Sequence, residues 1–184
     1  MGKLILFNMM SLDGFFEGKN GDLAWHHVDK EFNRFALEQL NAVEHLIFGR
    51  KTYEQMAAYW PSQQALTNDP LIAQRMNELS KHVFSTTLEQ ADWENTTLYR
   101  DDPVAAVSSL KQQSEKDMLI LGSAHLSHSL MNNGLIDIYR VMINPVLLGR
   151  GNPLFAESGH QHKLVLMNVQ AFKSGNVLLE YGWH

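Results

Sequence analysis

The chain contains no cysteine among its 184 residues. Disulfide bonds, thiolate metal sites and cysteine nucleophiles are therefore excluded. An excess of positive charge is also lacking, since the formal net charge is −5, and this argues against a partner that is nucleic acid or an anionic membrane. The apolar run at residues 3–10 is too short to cross a bilayer, and no signal-peptide cleavage site follows it. We therefore expect a cytoplasmic protein.

Linker-like sequence is scarce as well. The chain shows no repeat, no low-complexity block and no stretch rich in proline and serine. Its length suits one domain with a sizeable core. We therefore predict a single domain that spans residues 1–184.

Short apolar runs alternate with amphipathic segments along most of the chain. We predict strands at residues 3–10, 43–48, 82–85, 96–100, 118–121 and 136–144. We predict helices from an Asp29 cap and at residues 51–59, 70–80, 104–113 and 124–132. Residues 164–172 and 177–183 flank a Lys-Ser-Gly-Asn turn and are typical of an antiparallel hairpin. This order predicts an α/β fold whose sheet is mostly parallel with an antiparallel edge.

Gly49 ends one predicted strand immediately before a helix, at a kind of junction where α/β folds bind ligands. Arg50, Lys51 and Thr52 follow it. The backbone N–H groups of residues 50–52, the Thr52 hydroxyl and the two cations would together hold an anion. A glycine turn with solvated cations is the alternative that these residues leave open.

Gly122 repeats this arrangement without charges, and it is followed by Ser123 and Ala124. A bare strand end, a serine N-cap and a helix N-terminus would suit a pyrophosphate. The alternative is an ordinary capped helix. One anion site at each of two neighbouring strand ends favours a dinucleotide over a single phosphate.

Ser85 and Thr86 close a third strand. Together with Arg50 they could hold the 2′-phosphate of NADPH, and the alternative is that they form an ordinary turn.

Candidate proton donors are Asp13, Asp29 and His26. For the two aspartates the alternatives are a turn and a helix cap. The nine histidines include pairs at 125/128 and 160/162, but no HExxH pattern and no third ligand accompany them. We therefore predict no metal site.

Several short motifs, in order along nearly the whole chain, resemble those of the dihydrofolate reductase-like fold. Within that fold they resemble the reductase domain of the bifunctional riboflavin-biosynthesis deaminase/reductase, and above all its stand-alone bacterial relatives. The motifs are Ser-Leu-Asp-Gly at 11–14, Gly-Arg-Lys-Thr-Tyr-Glu at 49–54, Tyr-Trp-Pro at 59–61, Ser-Thr at 85–86, Leu-Gly-Ser-Ala at 121–124, Gly-Leu-Ile-Asp at 134–137 and Pro-Val-Leu-Leu-Gly-x-Gly-x-Pro-Leu-Phe at 145–155.

The resemblance implies a three-layer α-β-α fold and an NADPH-dependent reductase that is typically a cytoplasmic homodimer. It implies that residues 49–52 contact the cofactor phosphates, with Arg50 near the 2′-phosphate and residues 85–86 beside it. Residues 122–124 would hold the pyrophosphate. The family often has an arginine after the third-strand serine, where this chain has Thr86.

We therefore expect a reductase that transfers hydride from NADPH to a small planar molecule that is unsaturated or carbonyl-bearing. Its substrate pocket would lie between the Trp25 loop, the Asp29 helix and the helix that carries Tyr53 and ends near Trp60. The alternatives are a nucleotide- or ligand-binding module without turnover, and a metal hydrolase built on the histidines.

Overall fold

The computed structural model describes residues 1–155 and 161–183. The strands are β1 (Leu4–Ser11), β2 (Phe15–Glu17), β3 (Val43–Gly49), β4 (Ser80–Phe84), β5 (Thr96–Tyr99), β6 (Asp117–Leu121), β7 (Ile138–Asn144), β8 (Asn152–Pro153), β9 (Leu164–Ala171) and β10 (Val177–Trp183). The helices are α1 (Lys30–Asn41), α2 (Arg50–Tyr59), α3 (Gln63–Asn68), α4 (Pro70–Glu78), α5 (Pro103–Gln113) and α6 (Ala124–Asn132), and a short 3₁₀ turn covers Lys19–Gly21.

Eight strands form one sheet in the order β5-β4-β3-β6-β1-β7-β10-β9. The pairs from β5 to β7 are parallel, whereas β10 is antiparallel to both β7 and β9. The predicted mostly parallel sheet with an antiparallel C-terminal hairpin is confirmed. Strands β2 and β8 form a separate small antiparallel pair.

The helix ends follow the capping chemistry that the sequence indicates. Asp29 Oδ1 accepts a hydrogen bond of 2.8 Å from the Phe32 N–H, so α1 begins where predicted. Asp102 caps α5 through the Val104 N–H in the same way. Gly134 has a φ of +66°, which glycine adopts without strain, and it follows the last turn of α6.

Helices cover both faces of the sheet, which confirms the three-layer α-β-α arrangement. On one face, apolar side chains of α1, α2 and α4 pack on strand residues such as Phe7 and Phe48. On the other face, α5 and α6 contribute Val107 and Leu130 to a cluster around Ile120. Within residues 1–155 and 161–183, each helix is too short or too polar to cross a lipid bilayer.

Besides the 3₁₀ turn, the helix α3 and the strands β2 and β8 were not predicted. The helix α3 is short, and the Ser62 hydroxyl caps it by accepting from the Ala65 N–H. The pair β2–β8 joins segments far apart in sequence, and neither is long enough to show a period. Gly151 permits this pairing, because a Cβ there would collide with the backbone oxygen of Glu17.

Candidate functional site

A cavity of about 1270 Å³ runs along the carboxyl ends of the parallel strands. Residues that follow four neighbouring strands line it: Arg100 after β5, Ser85 after β4, Gly49 at the end of β3 and Ser123 after β6. The lining then continues to Phe16 in β2, which lies just beyond β1. Strands lie about 4.8 Å apart, so the three intervals from β5 to β6 span about 14 Å, and Phe16 and Glu17 extend the lining beyond them. This length suits two nucleotides joined by a pyrophosphate.

Hydrogen bonds join the two glycine-marked strand ends. The Ser123 hydroxyl accepts from the Gly49 N–H at 2.9 Å and donates to the Leu121 oxygen at 3.0 Å. Thr52 Oγ1 in turn accepts from the Ser123 N–H at 3.0 Å. Gly122 has a φ of +58°, and a Cβ there would lie only 3.0 Å from Thr52 Oγ1. This position therefore requires glycine.

Ser123 occupies the predicted N-cap position of α6, but its hydroxyl does not cap the helix. The backbone of Ser123 is left-handed, with a φ of 57°, and its side chain faces Gly49 instead. The prediction that the Ser123 hydroxyl caps α6 is therefore wrong, because that hydroxyl accepts from the Gly49 N–H instead.

Two helix N-termini consequently meet the cavity without side-chain caps. Helix α2 begins at Arg50 and α6 begins at Ala124, and among the described residues no side chain caps either helix. The first N–H groups of a helix lack partners within it, and the helix dipole makes that end positive. An anion is the natural partner for such groups.

Three cations line the same cavity: Arg50 and Lys51 directly after β3, and Arg100 after β5. Arg50 forms an ion pair of 3.0 Å with Glu54 on the next turn of α2, and Lys51 is exposed. The Arg100 guanidinium donates at 2.9 Å to the backbone carbonyl oxygen of Glu89. Sequence reasoning missed Arg100, because its position beside Ser85 depends on the pairing of β4 with β5.

Ser85 and Thr86 both line the cavity. The Ser85 hydroxyl accepts from the N–H groups of Thr87 and Leu88 at 3.1 and 2.9 Å. Ser85 therefore forms a turn, which was the alternative interpretation, at the edge of the cavity.

The predicted substrate contacts lie elsewhere: Trp25, Tyr53 and Trp60 are not among the described residues that line this cavity. Tyr53 is 3% exposed, and its hydroxyl accepts from the Trp93 N–H at 3.0 Å. The indole N–H of Trp60, which directly follows α2, donates to the sulfur of Met56 in that helix. Tyr53 therefore belongs to the core rather than to the cavity.

The predicted proton donors also lie outside the cavity lining. The carboxylate of Asp13 accepts from the N–H groups of Leu148 and Gly149 at 3.1 and 2.7 Å. A hydrogen bond from Ser11, with help from these N–H groups, lowers the pKa of Asp13. Asp13 therefore anchors the loop that follows β7 and is a poor proton donor.

Asp29 and His26 have structural surroundings too. Asp29 caps α1 through the Phe32 N–H. Burial lowers the pKa of His26 to about 4, so its imidazole is neutral at physiological pH.

Glu17 also lines the cavity, although the sequence did not indicate it as a site residue, and His125 of the 125/128 pair lines it too. Glu17 lies near Phe16, away from Arg100, and accepts a hydrogen bond from the Asn152 amide of β8. No sequence pattern could have found Glu17, because its position depends on the β2–β8 pair. Within the described ranges, no three His, Asp or Glu side chains come together as a metal ion would require, and His160 lies outside those ranges.

A protein-family model described as the RibD C-terminal domain matches residues 2–178. Two proteins of Bacillus subtilis (strain 168), both described as uncharacterized, are similar along nearly all of the chain. YyaP is 32% identical over 183 residues, which are 99% of this chain and 95% of that protein. YwjB is 26% identical over 171 residues, with 92% of each chain covered.

Solved structures share the fold at low identity. A protein from Shewanella sp. PV-4, provisionally named as a riboflavin biosynthesis protein, has a TM-score of 0.76 at 22% identity, with 99% of each chain covered. RibD from Acinetobacter baumannii has a TM-score of 0.70 at 16% identity, over 100% of this chain and 58% of that one. Dihydrofolate reductase from Enterococcus faecalis, complexed with NADP(H), has a TM-score of 0.66 at 15% identity, over 100% and 97% of the two chains.

Proposed function

Since the chain belongs to the RibD C-terminal domain family, we propose that it binds NADPH in the strand-end cavity and transfers hydride to a small planar molecule that is unsaturated or carbonyl-bearing. Its fold is of the reductase type. The observation that carries the proposal is that α2 and α6 both begin uncapped on one cavity that three cations also line. That combination matches a dinucleotide with an extra phosphate.

The residues fit such a cofactor in a definite order. The N–H groups of residues 50–52 and 124–126, at the two helix starts, would hold the pyrophosphate. Arg50 and Arg100 would hold the 2′-phosphate beside Ser85 and Thr86. Arg100 would thereby take over the role of the arginine that relatives often carry at the position that corresponds to Thr86.

NADPH supplies the hydride, and the chain supplies binding, orientation and a proton. Glu17 is the carboxyl group at the Phe16 end of the cavity, and we assign proton donation to the substrate to it. The other lining carboxylates lie beside the proposed phosphate contacts: Glu54 pairs with Arg50, and Asp101 follows Arg100. Glu17→Gln should keep NADPH affinity and lower turnover, whereas unchanged turnover would remove Glu17 from this role.

Titration with NADPH and NADH tests the proposal directly. Binding of each cofactor is followed through the cofactor's own fluorescence. It should be saturable, and the affinity for NADPH should be higher than the affinity for NADH. Oxidation of NADPH is then measured with a panel of pterins, quinones and aminopyrimidines. The absence of saturable NADPH binding would refute the proposal.

We further propose a homodimer, as the family resemblance implies. Light scattering would then give twice the 21.0 kDa mass of the chain. A mass of one chain across the concentration range would contradict this.

A nucleotide-binding module without turnover is the second candidate. It is favoured by the positions of Asp13, Asp29 and His26, which lie outside the cavity lining and have structural roles. NADPH binding without oxidation by any member of the panel would support this candidate.

A further inference from the structure

The antiparallel end of the sheet carries a continuous apolar face. Residues that lie opposite each other in antiparallel strands place their side chains on the same side of the sheet. Leu179 of β10 lies opposite Val169 of β9, and the pairing continues along the two strands. We call the resulting surface the hairpin face; its members are Leu164, Leu166, Val169, Leu179, Tyr181 and Trp183.

The rest of the described chain covers this face only in part. Val169 is 53% exposed, Leu166 49% and Trp183 38%. The cluster beneath α5 and α6 reaches Leu164 and Tyr181, which are partly buried. The apolar face of a sheet is normally buried against another layer, because its contact with water is unfavourable. The hairpin face therefore lacks part of the layer that its composition requires.

The charges at this end of the sheet lie on its other side. Glu180 is the one charged residue within β9 and β10. It lies opposite Arg140 of β7 and forms an ion pair with it. Arg140 also donates at 2.8 Å to the side-chain oxygen of Gln39 in α1. The side that faces α1 is therefore charged, whereas the hairpin face is uncharged.

Strand β9 forms one edge of the sheet and lies beside β10 alone. Its eight residues include no proline and no Lys, Arg, Asp or Glu. Edge strands of proteins that remain monomeric are usually short, or carry charged residues or proline, which prevent contact with another chain. Because β9 has none of these features, it is typical of a strand that takes part in association.

We propose that the hairpin face is the interface of the homodimer, with the hairpin face of one copy packed on that of a second copy. The contact is isologous, so the same surface patch serves on both sides. Two apolar sheet faces pack about 10 Å apart, and their side chains interdigitate. This inference rests on the proposed homodimer, and it is independent of NADPH binding and turnover.

Charge favours a second copy as the occupant. The net charge of the chain is −5, so two copies repel each other through their overall fields. They meet without opposed like charges where both surfaces are uncharged, and the hairpin face meets this condition with itself. A nucleic acid or an anionic membrane would instead need Lys or Arg on the face, and none of its six members is charged.

The test places a charge on the face. Val169→Lys and Leu166→Lys each alter a side chain that is about half exposed in a single copy, so the folded chain accepts the lysine. A dimer would bury two such charges without partners, and its dissociation constant should rise by about a hundredfold or more. Light scattering and sedimentation over a dilution series measure this constant.

Val165→Lys is the matched control. Val165 lies in the same strand and is 44% exposed, but it lies opposite Gly182, on the side of the sheet that carries Glu180. This variant should dimerise as the unchanged protein does. Circular dichroism of all three variants checks that their fold is intact. NADPH affinity should also persist in each, because no member of the hairpin face is among the described residues that line the strand-end cavity.

Three results would overturn the proposal. If both face variants keep the dissociation constant of the unchanged protein, the homodimer uses another surface. If Val165→Lys weakens the dimer as much as they do, β9 pairs edge to edge instead. If the unchanged protein has the mass of one chain at every concentration, both the interface and the homodimer are refuted, whereas the NADPH titration still decides the proposed cofactor site.

Discussion

Thr52 and Ser123 are joined by a hydrogen bond of 3.0 Å from the backbone N–H of Ser123 to Oγ1 of Thr52, across 71 positions of sequence. Thr52 lies in the first turn of α2, and Ser123 immediately precedes α6. The bond therefore fixes the start of one uncapped helix relative to the other. Both starts line the strand-end cavity, so this contact sets the shape of the proposed pyrophosphate site.

Thr52→Val keeps the shape of the side chain and removes the acceptor. The Ser123 N–H is then left unpaired, and the free energy of unfolding should fall by about 1 kcal/mol. NADPH affinity should fall as well, because only the hydrogen bond from the Gly49 N–H to the Ser123 hydroxyl then joins the two helix starts. Urea unfolding and NADPH titration measure the two effects. Thr52→Ser retains the oxygen and is the matched control, and equal stability of both variants would contradict a role for this bond.

Arg50→Ala and Arg100→Ala should each weaken NADPH by about tenfold and NADH much less, since only NADPH carries the 2′-phosphate. The affinity for each cofactor is measured by fluorescence titration. Arg75→Ala is the control, because Arg75 pairs with Glu78 and is not among the described residues that line the cavity. Equal losses of NADPH and NADH affinity would show that the arginine does not contact the 2′-phosphate.

Local chemistry made most of the fold predictable. The Asp29 cap, the apolar period of α1 and the turn before β10 each act within a few residues, so the sequence shows them directly. The glycine junctions at Gly49 and Gly122 were visible for the same reason. Their proximity follows from parallel strands that end at one edge of the sheet.

Long-range pairing accounts for what could not be predicted. Arg100 joins the cavity because β5 pairs with β4, and Glu17 joins it because β2 pairs with β8. Tyr53 was expected to contact substrate, yet its ring is oriented into the core and its hydroxyl bonds to Trp93. A helix carries both buried and exposed faces, and residue type alone does not tell which face a tyrosine occupies.

Acid should destabilise the protein through His82. Its ring nitrogens lie 3.1 Å from His45 Nδ1 and 3.1 Å from the Tyr99 hydroxyl, and burial lowers the pKa of His82 to about 4. As the pH falls from 6.5 toward 4, the unfolded chain takes up a proton at this residue and the folded chain does not. The free energy of unfolding is therefore highest above pH 6.5 and falls as the pH is lowered. His82 alone should lower it by about 2 kcal/mol between pH 7 and pH 5.

Urea unfolding at pH 7 and pH 5 checks this loss. His82→Gln retains hydrogen-bonding capacity without a titrating ring, so its stability should fall less between the two pH values. An identical fall in the variant and the unchanged protein would exclude His82 as the source.

Alkaline conditions should have the opposite effect through Lys81, which is fully buried. Its Nζ donates to the oxygens of Met76, Asn77 and Leu79 at 2.9, 2.9 and 2.7 Å and lies 4.5 Å from the centroid of Trp93. Burial lowers the pKa of Lys81 from 10.5 to about 8. Between these values the unfolded chain holds a proton that the folded chain has released, so stability should rise with pH across that window.

Lys81→Met tests both parts of this argument. At pH 7 the variant should lose about 2 to 4 kcal/mol of unfolding free energy, because three carbonyl groups at the end of α4 lose their donor. Its stability should also fail to rise between pH 8 and pH 10, which urea unfolding at the two pH values measures. A variant that keeps the full rise would place the titrating group elsewhere, whereas a variant as stable as the unchanged protein at pH 7 would show that water satisfies those carbonyl groups.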